Sequence, residues 1–240
     1  MTQAKIRLFL EHDLPIGQSV PLDRDQAHYL FGVMRQKMGD HILAFNGRDG
    51  EVLCEITEAG KRKGTVTVRA QTKPLQLPPD LWLMFAPIKK ARTDFIVEKA
   101  AEMGVARICP VQTDFTNSER IRQDRLQAHA IEAAEQCGGT YVPEVSDLKK
   151  LSEILANWPE DRDLIFCDEA LVGARDALGI TKGAKAAILI GPEGGFSEAE
   201  RTKIKAMPNA TAISLGPRIL RADTAAVAAL TLWQTICGDW

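Results

Sequence analysis

Two glycine-marked stretches near the C-terminus hold residue types that could do chemistry. Residues 188–200 read ILIGPEGGFSEAE and residues 214–230 read SLGPRILRADTAAVAAL. In the first, Gly191, Gly194 and Gly195 can adopt positive φ and let a ligand approach the backbone. Pro192 stiffens the turn, and Glu193 adds a carboxylate. The loop is neither the G-x-x-x-x-G-K-[ST] nor the G-x-G-x-x-G phosphate cradle, and Glu193 would repel a phosphate. A ligand with a hydrogen-bonding base and a positive centre suits it better, such as an adenosine carrying a sulfonium. A glycine turn that merely joins strand to helix is the alternative. In the second stretch, Arg218 and Arg221 flank the apolar pair Ile219-Leu220. They could grip an RNA phosphate or stabilise developing negative charge.

The surrounding pattern says which elements must position these loops. The apolar run AAILI ends at Ile190-Gly191, and Ser197 with Glu200 fits a capping box, so a helix should start just after the loop. ATAISLGP reads as a strand ending at Leu215-Gly216, and Asp223 or Thr224 can cap the alanine-rich final helix. From Leu81 onward, apolar strands alternate with amphipathic helices: LWLMFAP, ARTDFIVEKAAEMG, VARICPVQ, DRLQAHAIEAAEQCGG and DLIFCDEA. That alternation predicts an α/β domain with a mostly parallel sheet covered on both faces. Ligands sit beyond the C-terminal ends of such strands, where both glycine loops fall. The first seventy residues instead read as short β-rich runs joined by turns such as NGRDG, with helical spacing over Asp25–Arg35, and suggest a small barrel. The proline-rich TKPLQLPPD marks a boundary. The chain therefore divides into residues 1–73 and 74–240.

Composition narrows the function classes. Of 240 residues, 45% are hydrophobic and 26% charged, which reads as an ordinary folded chain rather than a disordered one. No apolar run approaches a bilayer span, and the N-terminus lacks the apolar core of a secretion signal, so a cytoplasmic protein is expected. Five scattered cysteines without CxxC and four separated histidines suggest neither a disulfide framework nor a metal site. The net charge is −2, but basic residues cluster at Lys61, Arg62 and Lys63, at Lys89, Lys90 and Arg92, and at Arg120, Arg122 and Arg125. Such clusters either contact phosphates or form a solvated surface. Glu98, Lys99 and Glu102 share one helix with the second cluster and read as a surface salt bridge.

The paired motifs LIGPEGGFSEAE and LGPRILRADTAA resemble those of the bacterial 16S ribosomal RNA uracil-N3 methyltransferases, the RsmE-like family of the SPOUT superfamily. HYLFGVMRQKMGDHILAFNGRDGEV is similar to that family's N-terminal PUA-like barrel. RTDFIVEKAAEMGVARICPV and IEAAEQCGGTYVPEV are similar to its central segments. The chain departs from the family pattern at Ala91, Gly139 and Asp223.

The resemblance implies an N-terminal PUA-like β-barrel followed by a SPOUT α/β domain, whose trefoil knot threads residues around 164–221. It implies S-adenosyl-L-methionine as cofactor, 16S rRNA or the small ribosomal subunit as partner, and a homodimer without metal. Cofactor-pocket positions carried over are Ile190, Gly191, Gly194, Leu215, Gly216, Ile219 and Leu220, with Gly195 in the same loop. Arg221 becomes the candidate for stabilising an anionic uracil, and Arg218 does this or holds a phosphate. The base is Glu193, Asp223 or a water. Arg7, Arg35, Lys37 and Lys61 to Lys63 would add phosphate contacts from the barrel, and Lys89, Lys90 and Arg92 would face RNA. Two alternatives stand beside this reading: a SPOUT methyltransferase for another RNA nucleotide, and a non-catalytic RNA-binding or ribosome-assembly factor.

Overall fold

Strand-period burial builds the N-terminal sheet of the computed structural model, which describes residues 4–60, 62–117, 120–171 and 183–240. Strands β1 (Arg7–Phe9), β2 (Ser19–Leu22), β3 (His41–Phe45), β4 (Glu51–Ala59) and β5 (Gly64–Lys73) form one sheet in the order β1-β3-β4-β5-β2. β1 runs parallel to β3 and the other ladders are antiparallel. Alternate residues such as Ile42, Cys54, Ile56, Val66 and Val68 are fully buried and form its core. The NGRDG turn between β3 and β4 closes on the Asn46 side chain, whose Oδ1 accepts from the N–H groups of Arg48 at 2.9 Å and Asp49 at 2.8 Å. Among the described residues no ladder joins the edge strands β1 and β2.

The helix expected over Asp25–Arg35 is present in altered form. A capping box between Asp23 and Gln26 starts α1 (Arg24–Ala27), which passes into a wider π-helical turn over His28–Val33. Gly32 leaves room for the His28 ring, which lies 2.9 Å from where a Cβ on Gly32 would stand. The segment ends at Arg35, whose φ of 55° is left-handed.

The second sheet contains β6 (Leu81–Phe85), β7 (Arg107–Gln112), β8 (Glu144–Val145), β9 (Lys149–Lys150), β10 (Arg162–Cys167), β11 (Lys185–Ile190) and β12 (Ala210–Ile213). Its order is β12-β10-β11-β6-β7-β8, with β9 on β7, and every ladder is parallel. The helices are α2 (Lys90–Glu102), α3 (Gln123–Cys137), α4 (Leu151–Ala156), α5 (Glu198–Lys205) and α6 (Ala222–Cys237). Gly104 (φ 72°) ends α2 and Gly138 (φ 79°) ends α3, as their sequence positions predict. The two-residue strands and the six-residue α4 were not legible in the sequence because each is too short to show a period. One face of this sheet packs Met84, Phe166, Leu189, Phe196 and Ile204 into a core, and α6 packs against α2 and β11. Contacts divide the chain into one unit running to Leu77 that includes Ala134–Val142, and a second formed by Pro78–Ala133 and Pro143–Trp240. No helix among the described residues is long and apolar enough to cross a membrane.

Arg162 binds the opening ends of three parallel strands together. Its Nη1 donates to the carbonyls of Asp80 and Ala186, both at 3.0 Å, and its Nη2 to the Asp80 carboxylate at 2.8 Å. The guanidinium lies 3.7 Å from the centre of the Trp82 ring, and the side chain is 5% exposed. Removing it takes a buried donor from the Ala186 carbonyl and the cation from the Asp80 carboxylate, while the Asp80 carbonyl keeps the Ala186 N–H at 3.1 Å. Arg162→Met should lower the unfolding free energy by about 2–3 kcal/mol, checked by urea denaturation.

Candidate active site

Register puts the site where it is. Cys167 of β10 pairs with Ile190 of β11 and with Ile213 of β12, so three strands end level with one another. Loops leaving a parallel sheet at the carboxyl ends of its strands can open a crevice there. A cavity of about 210 Å³ lies beyond the ends of these three strands, lined by Cys167–Glu169, Ile190–Glu193, Gly195, Ile213–Gly216 and Arg218–Ala222, with Ala225.

Ile190, Gly191, Gly195, Leu215, Gly216, Ile219 and Leu220 all line this cavity, together with Glu193, Arg218 and Arg221. Gly194 does not. A Cβ there would meet Phe115 at 3.3 Å, so its bare backbone faces a side chain outside the lining. Gly191 is glycine because a Cβ would stand 2.5 Å from the Phe196 ring, which is buried edge-on against Phe166 with centroids 4.8 Å apart. Gly216 has φ 114° and open space where a Cβ would stand.

The loop is braced from below by a charged cluster. Gly195 has φ 70°, and a Cβ on it would overlap Glu169 Oε1. That carboxylate accepts from the Phe196 N–H at 3.3 Å and from Arg201. Arg201 also donates from Nε to Asp168 at 3.1 Å, and Lys205 Nζ reaches the other Asp168 oxygen at 2.8 Å. Burial alone would push the Asp168 carboxyl up, but hydrogen bonds from Lys205, the Ala170 N–H and Arg201 outweigh it and hold the pKa below the usual value. Both cations belong to α5, whose start is set by the expected capping box between Ser197 and Glu200. Cys167, one of the lining residues, is buried and its thiol is pushed up to about 12, so it stays protonated at neutral pH.

The arginine loop is arranged differently. Arg218 and Arg221 are exposed, and neither side chain has a hydrogen bond or ion pair among the described residues. Arg221 is itself the N-cap of α6, so neither Asp223 nor Thr224 caps it as expected. The helix starts earlier and places Asp223 in its first turn, with Oδ2 3.7 Å from Arg92 Nε. Arg92, on α2, donates to Glu193 Oε1 at 2.8 Å. A residue expected to face RNA thus holds the carboxylate of the cavity loop.

Among the other basic candidates, Arg7 is committed to the fold. Its Nε donates to Glu51 at 2.7 Å, its Nη atoms donate to the carbonyls of Ala134, Glu135 and Gly139, and it stacks 4.4 Å from the Phe45 ring centre. With a side chain 11% exposed and four of its five N–H groups bonded within the fold, it serves packing first. Arg35, Lys37, Arg62, Lys63, Lys89 and Lys90 are exposed, and Lys63 pairs with Glu58 at 3.3 Å. Lys61 lies outside the described residues. Asp168, Glu169, Arg201 and Lys205 carried no sequence signal as a cluster, because the two acidic residues stand more than thirty positions before the two basic ones.

Two outcomes follow from this bracing. Gly195→Ala combines a strained φ with a clash on Glu169 and should cost about 1–3 kcal/mol while weakening ligand binding at the cavity, read by thermal shift and calorimetry. Asp168 has a folded pKa below its unfolded one, so its stabilisation is present above the unfolded value near pH 4 and is lost as pH falls through the folded value. Asp168→Asn should flatten the acid limb of melting temperature against pH and leave the neutral-to-alkaline shape unchanged.

Comparison with known proteins agrees with this architecture. Residues 75–234 match the RNA methyltransferase domain model and residues 22–69 the RNA methyltransferase PUA domain model. The chain is 29% identical to ribosomal RNA small subunit methyltransferase E of Rickettsia conorii, covering 93% of each. It is 30% identical to the protein of that name from Buchnera aphidicola, over 98% of this chain and 94% of that one. The crystal structure of the Neisseria gonorrhoeae methyltransferase E bound to S-adenosyl methionine superposes with TM-score 0.87 at 28% identity, over 98% of this chain and 99% of that one. A Legionella pneumophila methyltransferase in complex with the same cofactor gives 0.86 at 27%, with both chains fully covered. With the domain model spanning most of its length and both motif loops folded around one cavity, the chain belongs to the RNA methyltransferase domain family.

Proposed function

We propose that this protein is an S-adenosylmethionine-dependent methyltransferase that modifies N3 of a uridine in 16S rRNA of the small ribosomal subunit, acting in the cytoplasm as a homodimer. One observation carries the reading. The cavity at the level strand ends is lined both by the glycine loop and by Arg218 and Arg221, which have no protein partner among the described residues. It would hold a nucleoside-like ligand and an anionic reactant side by side. The relatives bear the name of a small-subunit rRNA methyltransferase, and two similar structures hold S-adenosylmethionine. The choice of uridine N3 rests on the sequence resemblance.

The lining fits the cofactor. Ile190, Ile213, Leu215 and Leu220 supply apolar surface for an adenine ring, and the backbone amides and carbonyls of 191–195 and 213–216 supply its hydrogen bonds. Glu193 brings a carboxylate to the lining that a cationic ligand can approach, while Glu169 is engaged by Arg201. When bound, S-adenosylmethionine contributes an activated methyl group carried on sulfur. The residues of the chain do the rest. Uridine N3 carries a proton and must lose it, after which negative charge spreads over the flanking carbonyl oxygens. Arg221, whose guanidinium has no protein partner among the described residues, is placed to receive that charge. Arg218 does the same or holds a phosphate, and Glu193 is the carboxylate on the rim that can accept a proton. The base must leave its stack to reach such a crevice, so positioning supplies much of the rate.

The same reading extends to topology and assembly. The N-terminal sheet would close as a PUA-like barrel that offers Arg35, Lys37, Arg62 and Lys63 to phosphates. The segments around 164–221 would thread as a trefoil knot, and residues 172–182 of that path lie outside the described residues. Support for a second copy comes from α6, which leaves Leu232 44% and Ile236 50% exposed.

The test is transfer of labelled methyl from S-adenosylmethionine to small subunits from a strain lacking the gene, followed by nucleoside analysis. Label in N3-methyluridine is the expected result. Label in another nucleoside would refute the target, and absence of label with folded protein would favour a binding factor. Arg221→Ala should lower kcat by about 100-fold with cofactor Kd changed less than threefold; unchanged kcat would remove Arg221 from the mechanism.

A further inference from the structure

The carboxylate and the guanidinium at the cavity rim are paired with each other in the free protein. Arg92 Nη1 holds Glu193 Oε1 at 2.8 Å, and its Nε stands 3.7 Å from Asp223, too far for a hydrogen bond. The Nη2 group has no partner among the described residues. All three side chains are partly open to solvent, with Arg92 28%, Glu193 48% and Asp223 20% exposed. An ion pair in that setting is weak and exchangeable. A guanidinium prefers a bidentate oxyanion, and phosphate oxygens match its fork as well as a carboxylate does.

We propose that Arg92 is a binding site for a phosphodiester of the RNA that presents the target nucleotide, and that Glu193 occupies this site until RNA displaces it. The proposal rests on the rRNA methyltransferase reading above. Arg218 and Arg221 line the same cavity as Glu193, and with Arg92 they bring three guanidiniums against the two carboxylates Glu193 and Asp223, a balance that attracts a polyanion even while Glu193 stays in place. Exchange of Glu193 for a phosphate on Arg92 has two consequences. The RNA gains a contact beside the cavity, and Glu193 loses its cation where a uridine N3 proton has to be accepted. Glu193 is then available to the reaction only when RNA is bound. Asp223 keeps Arg92 near the rim during the exchange, because it approaches Nε from a different side chain and a different helix.

A double-mutant cycle on RNA affinity tests this, using the full-length protein and small ribosomal subunits from a strain lacking the gene at one fixed salt concentration. Glu193→Gln removes the competitor and should tighten RNA binding about two- to fivefold. Arg92→Gln should weaken it about tenfold. In the Arg92→Gln background, Glu193→Gln should have no effect, because there is no longer a site to vacate. Arg92→Lys should recover part of the affinity, and circular dichroism should show all variants folded. If Glu193→Gln fails to tighten binding, the exchange is wrong. If it tightens equally with and without Arg92, the effect is general repulsion and the exchange is again wrong. Wild-type protein that does not bind the subunits would overturn the rRNA reading and the inference together, so the two failures are distinct.

Discussion

A wholly parallel sheet has to end all its strands on the same edge, and the rest of this structure follows from that constraint. Hydrogen-bond register makes Cys167, Ile190 and Ile213 neighbours across β10, β11 and β12. Beyond them the backbone runs out of ladder partners, and three loops must satisfy their own polar groups around one crevice. Loops there can approach a ligand because glycine stands at positions where a Cβ would strike Phe196 or Glu169. The cavity is thus a consequence of strand pairing and of packing beneath the loops.

Charge is distributed over the site in two distinct ways. Below the glycine loop, Asp168, Glu169, Arg201 and Lys205 satisfy one another, and Asp168 is fully buried, so this cluster fixes backbone position. A buried pair of this kind costs desolvation and is retained where geometry matters. At the rim, Arg92, Glu193 and Asp223 are partly exposed, and Arg218 and Arg221 lack protein partners among the described residues. Exposed, exchangeable charge belongs where an outside partner has to compete for it. The contrast is between a braced floor that holds the loop and a rim whose charges stay open to solvent.

Much of the fold was legible because it repeats a local rule. Apolar runs marked β6, β7, β10, β11 and β12, glycine followed the last two, and Gly104 and Gly138 marked the ends of α2 and α3. Elements without a period escaped, namely the two-residue strands β8 and β9 and the short α4. The π-helical turn after α1 escaped as well, since helical spacing does not reveal how many residues a turn holds. The start of α6 was misplaced because a good capping residue, Asp223, stands two positions inside the helix. There it faces Arg92 and accepts no more than its neighbour Thr224's N–H.

The sequence by itself determined the two loops, their glycines, the arginines between them and the capping box that starts α5, since each depends on residues a few positions apart. Only the tertiary structure decided the partners. It committed Arg7 to Glu51, turned Gly194 toward Phe115, set Arg201 under Gly195 and joined Arg92 to Glu193 across 101 positions of chain. The physical reason is range. Backbone conformation and capping are set by neighbours in sequence, whereas a charge is satisfied by whatever group the packed fold brings within a few ångströms, and nothing in the spacing of two distant residues records that they will meet.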